Sequence, residues 1–463
     1  MGLFMGGVAM PSAKAADLGG DCCADLEERV AELEATTARK GNRKMSLTVT
    51  GQVHRVVLWW DDGHNSNTYY GLDSTNASSR FSFNGSAKVT PKVKMGFEIM
   101  IEIEAGGTSS KVNRFDEDGK VGTQIGGPGS FNAGSVDAYF GDARRAAWWI
   151  EHDDIGRLTV GRWDASMVFA TIDITGHLFL GASNSFILLN GGFNIRGDAG
   201  QYYATSWGAI GDPANAGANR SELVRFDSKV VHGFIFSSMV AEAGDYWGSQ
   251  IRYAGEFSGF RLAGAVGFDR VTDVATPLVV DPTNVAFTGR KPDITAWGIA
   301  LSVMHSPTGL FLQGHYNAVD YGGDPVGAAS GYWGQSTLNK KDTAQWLIQG
   351  GIQKNWFGYG NTSVYGEYGV ATDWGADIGG RTYTTAGFTT VTGVSDTEMR
   401  VWGLGIAQKI DAAATDLYIG YRHFDADIDC DTANCGAAAT GATTGTLPTE
   451  GIDVIVMGAR VLF

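Results

Sequence analysis

Glu98, Glu102 and Glu104 share one phase of the segment Lys92–Glu104, KVKMGFEIMIEIE, together with Lys94 and Gly96. Val93, Met95, Phe97, Ile99, Ile101 and Ile103 hold the other phase. A period of two is a strand with one charged and one apolar face. The chemistry open to such carboxylates is the lining of a wet surface. The remaining reactive side chains are scattered. His152, His177, His232, His305, His315 and His423 form no ligand-like pair. Asp425, Asp427, Asp429 and Asp431 imitate the start of a calcium loop, but Cys430 stands where glycine is needed and Gly436 where the closing glutamate belongs. They read as an acidic rim. No HExxH, GxxxxGK[ST], GxSxG or CxxC occurs, so neither an enzyme nor a metal or other cofactor is expected.

Composition narrows the class. Glycine supplies 66 of 463 residues, about twice the usual share. Aromatics make up 11% and charged residues 18%, with only 10 prolines. Disorder and collagen both fail on these figures. No uncharged apolar run reaches the ~18 residues of a membrane helix. A net charge of −15 argues against a nucleic-acid partner. A membrane barrel, apolar on alternate residues only, fits the mean hydropathy of −0.09.

The elements that position these residues are alternating runs of about ten residues. Sixteen are expected, near 45–60, 78–90, 92–104, 135–153, 157–163, 221–231, 233–243, 246–258, 259–272, 293–306, 309–323, 342–356, 360–374, 396–411, 414–427 and 451–463. Their connections alternate between short turns such as His232-Gly233 and Ser258-Gly259 and long stretches rich in Gly, Asn, Ser and Thr. The connection near 244–245 is a short exception. Turns short at one end and loops long at the other describe a transmembrane β-barrel. The last run ends in Ile455, Met457, Ala459, Val461 and Phe463 on the lipid face, with Arg460 in the lumen.

Ahead of the barrel, residues 1–15 end in Ala13-Lys14-Ala15, a small-x-small cleavage pattern that makes Ala16 the mature start. Residues 16–44 carry a short helix whose Cys23, Leu26, Val30, Leu33 and Thr37 follow coiled-coil spacing. In an oxidising compartment Cys430 and Cys435 are expected to bridge, while Cys22 and Cys23 are poorly placed to pair with each other.

From AADLGGDCC and DLEERVAELEA through SLTVTGQV to GARVLF, the chain resembles an alphaproteobacterial, Rhizobiales-type trimeric outer-membrane porin. The resemblance implies an all-β, 16-stranded antiparallel barrel (45–463) with a short periplasmic coil. It implies a homotrimer among outer-membrane lipids, passing small hydrophilic solutes by diffusion. Phe463 then resembles an assembly signal, and the start at Ala16-Asp17-Leu18 a contact with peptidoglycan. It also implies that loop 164–220 folds inward to narrow the pore, an external flap being the alternative. Arg80, Arg162 and Arg225 match the family's basic wall, with Asp164, Asp173 and Asp198 as loop acids opposite. The acidic pattern of general porins is not clearly reproduced, which leaves ion selectivity open. A sugar-selective channel is the nearest rival, with Tyr202, Tyr203 and Trp163 near the loop. An outer-membrane hydrolase and a soluble adhesin or lectin are more distant ones.

Overall fold

The computed structural model describes residues 45–103, 107–114, 143–168, 171–182, 185–211, 220–241, 244–272, 292–323, 341–377, 380–385, 387–431, 435 and 445–463. The leader, the helix with Cys23, Leu26, Val30 and Leu33, and Glu104 lie outside the described residues. The sixteen expected runs are sixteen wall strands of a closed antiparallel barrel. They are β1 (Ser46–Asp61), β2 (Arg80–Thr90), β3 (Val93–Glu102), β4 (Ala143–His152), β5 (Gly156–Asp164), β6 (Arg220–Ser228), β7 (Phe234–Ala241) and β8 (Tyr246–Phe257). The circuit continues through β9 (Phe260–Thr272), β10 (Pro292–His305), β11 (Leu310–Gly323), β12 (Thr343–Lys354), β13 (Thr362–Thr372), β14 (Val391–Ile410), β15 (Thr415–Cys430) and β16 (Ile452–Leu462).

Each strand pairs with its sequence neighbour, and β1 closes the circuit on β16 from Gln52↔Leu462 to Asp61↔Asp453. β1 divides its other edge. Ser46–Gln52 pairs with β2, while Arg55–Asp61 pairs with an added strand, Ser66–Asp73, inside what the sequence reads as loop. The short turns gather at one end. Ser258 and Gly259 take φ of 53° and 81° between the paired Phe257 and Phe260, as do His232 and Gly233 (50° and 87°) between Val231 and Phe234. Two consecutive left-handed residues make the tight hairpin whose twist matches its strands.

The outer surface has an aromatic belt. Trp247, Phe268, Trp297, Tyr316, Trp346, Tyr368, Trp402 and Tyr421 occupy consecutive strands from β8 to β15. Phe268↔Trp297, Tyr316↔Trp346 and Tyr368↔Trp402 are register partners. The steps between them are ring contacts of 5.2–5.5 Å. Below it, Ile251, Val266, Leu301, Leu312 and Ile419 are exposed. Such a girdle over an apolar band is the outside of a barrel in a bilayer.

The interior does not follow simple alternation. Val56, Leu58 and Trp60 face inward, as do Val401, Phe424, Val454 and Val456, and all are buried. They pack with Phe186, Phe193, Ile195 and Trp207 of the segment after β5 in one apolar cluster. Cys430 and Cys435 are joined by a disulfide, their Cα atoms 5.6 Å apart, at the rim beside this cluster.

The seam supplies a test. Gly51 N–H donates to the Phe463 carbonyl at 2.8 Å, and Phe463 N–H returns to Gly51 at 3.0 Å. A Cβ on Gly51 would lie 2.5 Å from the Phe463 ring and 2.7 Å from the Arg80 carbonyl oxygen. Gly51→Ala should therefore cost about 1–3 kcal/mol in overpacking. The expected readout is a lower unfolding temperature of the detergent-solubilised barrel. Phe463→Ala in the same chain should restore it only in part, because the Arg80 backbone still obstructs.

Candidate functional site

The described parts of the segment from Ala165 to Gly211 lie along the inner wall, with at least one anchor on every strand from β9 to β13. On β9 the Asp269 carboxylate, fully buried, accepts Met167 N–H at 2.9 and 3.0 Å, Val168 N–H at 3.3 Å and the Ser166 hydroxyl at 3.0 Å. Ser302 on β10 donates to the Ile172 carbonyl. On β11, Gln313 accepts Ile174 N–H at 3.0 Å and the His315 ring meets Thr171 Oγ1 at 2.6 Å. Gln353 and Gln349 on β12 donate to the carbonyls of Thr175 (3.0 Å) and Ala182 (2.8 Å). Ser363 on β13 meets His177 Nε2 at 2.8 Å. Burial holds the His177 imidazole below its ordinary range, partly offset by Asp173 and Asp416.

The far end of the segment is tied to the opposite rim. Arg196 donates to Asp62 at 2.9 Å and the Tyr202 hydroxyl donates to the same carboxylate at 2.7 Å. Burial and that carboxylate push the Tyr202 hydroxyl up to about 12. Beneath the segment, Glu367 and Arg422 form a bidentate pair at 2.7 and 2.9 Å with both side chains fully buried. Gln349 donates to the same Glu367 at 2.9 Å, so the pair is held within a wider hydrogen-bonded group. Arg460 is paired with Asp416 at 2.6 Å, its guanidinium 5.2 Å from the centre of the Phe179 ring.

The segment's anchors leave the inner face of β2 to β8 to a different chemistry. Glu98 and Glu102 project from β3 toward Arg145 (3.1 Å) and Arg144 respectively. Two adjacent residues of one strand reach the same side because the β3–β4 register slips between Met100↔Arg145 and Ile101↔Ala143, which is a bulge. Arg80, opposite Glu102 in register, lies within reach of the fields of Arg144, Arg145 and Arg220. Asp164 ends β5, bonded to Arg145 and 3.6 Å from Arg220. Arg225 grips Asp227 at 2.9 and 3.0 Å, and Arg252 shares that carboxylate at 3.1 Å. Arg157 sits 4.2 Å from the centre of Trp149, and Arg145 4.4 Å from that of Trp163, in cation–π geometry.

Three expectations need correction. Arg162 does not join this wall: its register partners Ala146 and Glu222 are exposed on the outer face, and its Nε–H donates to the Ala143 carbonyl at 2.8 Å. The phase of Arg157, Thr159 and Trp163 puts Arg162 on the opposite side. Asp173 is occupied by its own turn, accepting Thr175 N–H at 2.9 Å, the Thr175 hydroxyl at 2.6 Å and Phe179 N–H at 3.1 Å. Asp198 is exposed in a turn closed by Gly197 and Gly200 and forms no ion pair with the wall arginines among the described residues. Arg144, Arg145, Arg157, Arg220 and Arg252 are wall residues that reading missed. Strand phase alone would have found Arg157 and Arg252.

Asp269 tests how the segment is held. Asn at this position keeps the size but loses the charge, and its amide NH2 would face N–H donors. Hydrogen bonds to charged groups are worth roughly 1.5–3 kcal/mol. Asp269→Asn should therefore loosen the start of the segment, seen as faster protease cleavage between residues 165 and 182 of the folded barrel.

Among solved structures, an anion-selective porin from Comamonas acidovorans is 16% identical, covering 90% of this chain and 100% of its own, with a TM-score of 0.49. In-vitro folded OmpT of Vibrio cholerae is 10% identical over 92% and 99% of the two chains, TM-score 0.47. OmpF of Salmonella typhi in complex with daunomycin is 12% identical over 91% and 98%, TM-score 0.45. No curated protein matches. The family model described as Gram-negative porin matches residues 7–429, most of the barrel included, and the chain belongs to that family, a β-barrel of the outer membrane.

Proposed function

We propose that this chain is a general diffusion porin of the alphaproteobacterial, Rhizobiales type, a homotrimer whose monomers each carry a water-filled passage. The observation that carries the reading is the split interior. One half of the wall binds the Ala165–Gly211 segment, and the other presents guanidiniums and carboxylates that only water can solvate. In this reading the segment is the constriction, with Arg80 and Arg225 on the wall opposite and Asp164 beside them. Small hydrophilic solutes then cross ~30 Å of hydrocarbon without coupled energy and without catalysis.

Support for the trimer comes from the outside. The aromatic belt spans β8 to β15 and, among the described residues, has no counterpart of the same continuity from β16 through β7. On that barer half Arg55 faces outward, opposite Ala459 in register and 3.6 Å from Asp73. Arg162 and Glu222 face outward there too. An arginine against lipid near the bilayer centre costs roughly 2–4 kcal/mol, which a neighbouring subunit removes. The short turns and both ends of the barrel segment share one end, here assigned to the periplasm. The N-terminal coil, with any peptidoglycan contact, would hang from it.

Planar-bilayer recording tests the reading. Detergent-extracted protein should give large ohmic steps arriving in threes. Small steps blocked by sugars would favour a substrate-selective channel, and folded protein that conducts nothing would overturn the pore altogether.

A further inference from the structure

Among the described residues the charges on the open wall do not balance. The four clustered arginines Arg80, Arg144, Arg145 and Arg220 face three carboxylates, Glu98, Glu102 and Asp164. Arg225 and Arg252 divide the single Asp227 between them. Arg157 is held by indole rings, and among the described residues neither it nor Arg80 has a carboxylate within ion-pair distance. At the turn end Lys94 pairs with Asp153 at 3.7 Å, and Glu151 stands opposite Arg157 in register as its nearest counter-charge, outside ion-pair distance.

The segment across the passage does not make up the deficit. Asp173 is directed into its own turn, and neither it nor the exposed Asp198 forms an ion pair with a wall arginine among the described residues. The other buried acids among the described residues are engaged elsewhere, Asp62 by Arg196, Asp73 by Ser79 N–H and Arg55, Asp269 by backbone N–H groups, Glu367 by Arg422 and Asp416 by Arg460. Among the described residues the surplus on the open wall is therefore positive, in a chain whose total charge is −15.

We propose that the constriction is anion-selective and takes small oxyanions and carboxylates in preference to cations, an inference that rests on the porin reading above. Fixed charge within a Debye length of ~8 Å at physiological salt sets which counter-ion concentrates in a narrow passage with low-dielectric walls. Guanidinium stays cationic at any relevant pH, and its planar fork matches two oxygens at once. The array also runs the right way for transit. Arg80 and Arg220 open β2 and β6 at the long-loop end, whereas Arg157 follows the short turn before β5. An oxyanion can pass between successive weak sites rather than lodge in one, as conduction requires.

The experiment is the reversal potential of bilayer-reconstituted protein in a potassium chloride gradient, repeated with potassium phosphate in place of part of the chloride. The expected chloride-to-potassium permeability ratio is above one. It should fall roughly two- to fivefold in Arg80→Gln/Arg220→Gln, and added phosphate should slow the chloride current. A wild-type ratio below one, an unchanged ratio in a conducting double variant, or no effect of phosphate overturns the proposal and leaves the porin reading intact. Absence of any conductance from folded protein overturns both.

Discussion

Everything in this molecule follows from the need to pair backbone groups where no water can reach them. In hydrocarbon an open sheet edge is prohibitive, so the sheet must meet itself. β1 does this on β16 through ten consecutive register pairs. Closing sixteen strands fixes a circumference whose interior side chains cannot fill. The chain resolves that by treating its two inner halves differently. Strands β9 to β13 turn amides, hydroxyls and one carboxylate inward to hold a folded segment, whereas β2 to β8 turn guanidiniums and carboxylates toward water.

That segment explains the odd places in the wall. Inward apolar residues such as Leu58, Trp60 and Phe424 would be misplaced beside water, but Phe193 and Trp207 cover them, with ring centroids 5.0 and 6.2 Å from Trp60 and Phe424. The buried Glu367–Arg422 pair is no strong source of stability, because removing both charges from water costs about what their attraction returns. Its role is geometric. It fixes Gln349, which in turn holds the Ala182 carbonyl, so the segment's position is set by hydrogen bonds with little freedom to slide.

The strands were legible because lipid imposes one rule, apolar on every second residue, over the whole outside. Lys92–Glu104 states it openly, and the expected lipid-facing Met95 and Ile99 are exposed. The interior obeys no such rule. Val56, Leu58 and Trp60 look like a second lipid face until the residues covering them are seen. Likeness to a family pattern puts Arg162 inward, although its phase against Trp163 says otherwise. Asp173 looked like a free loop acid, yet Asp173-Ile174-Thr175 is a local turn in which an aspartate caps its own backbone. The strand from Ser66 to Asp73 carries no strand signal because its Asn, Ser, Thr and Gly content is that of a loop. It is a strand because β1 offers it an unpaired edge.

The bulge at Arg144 and Arg145 has a bearing on how such channels diverge. Elsewhere on the wall a point change alters one side chain and leaves the rest in phase. Here two charges face the passage only because one extra residue interrupts the alternation. Deleting a single codon there would turn one of them out toward the bilayer and restore an ordinary strand. Lineages descending from this sequence could therefore change the charge of their passage in one step, by a length change that leaves every neighbouring residue as it was.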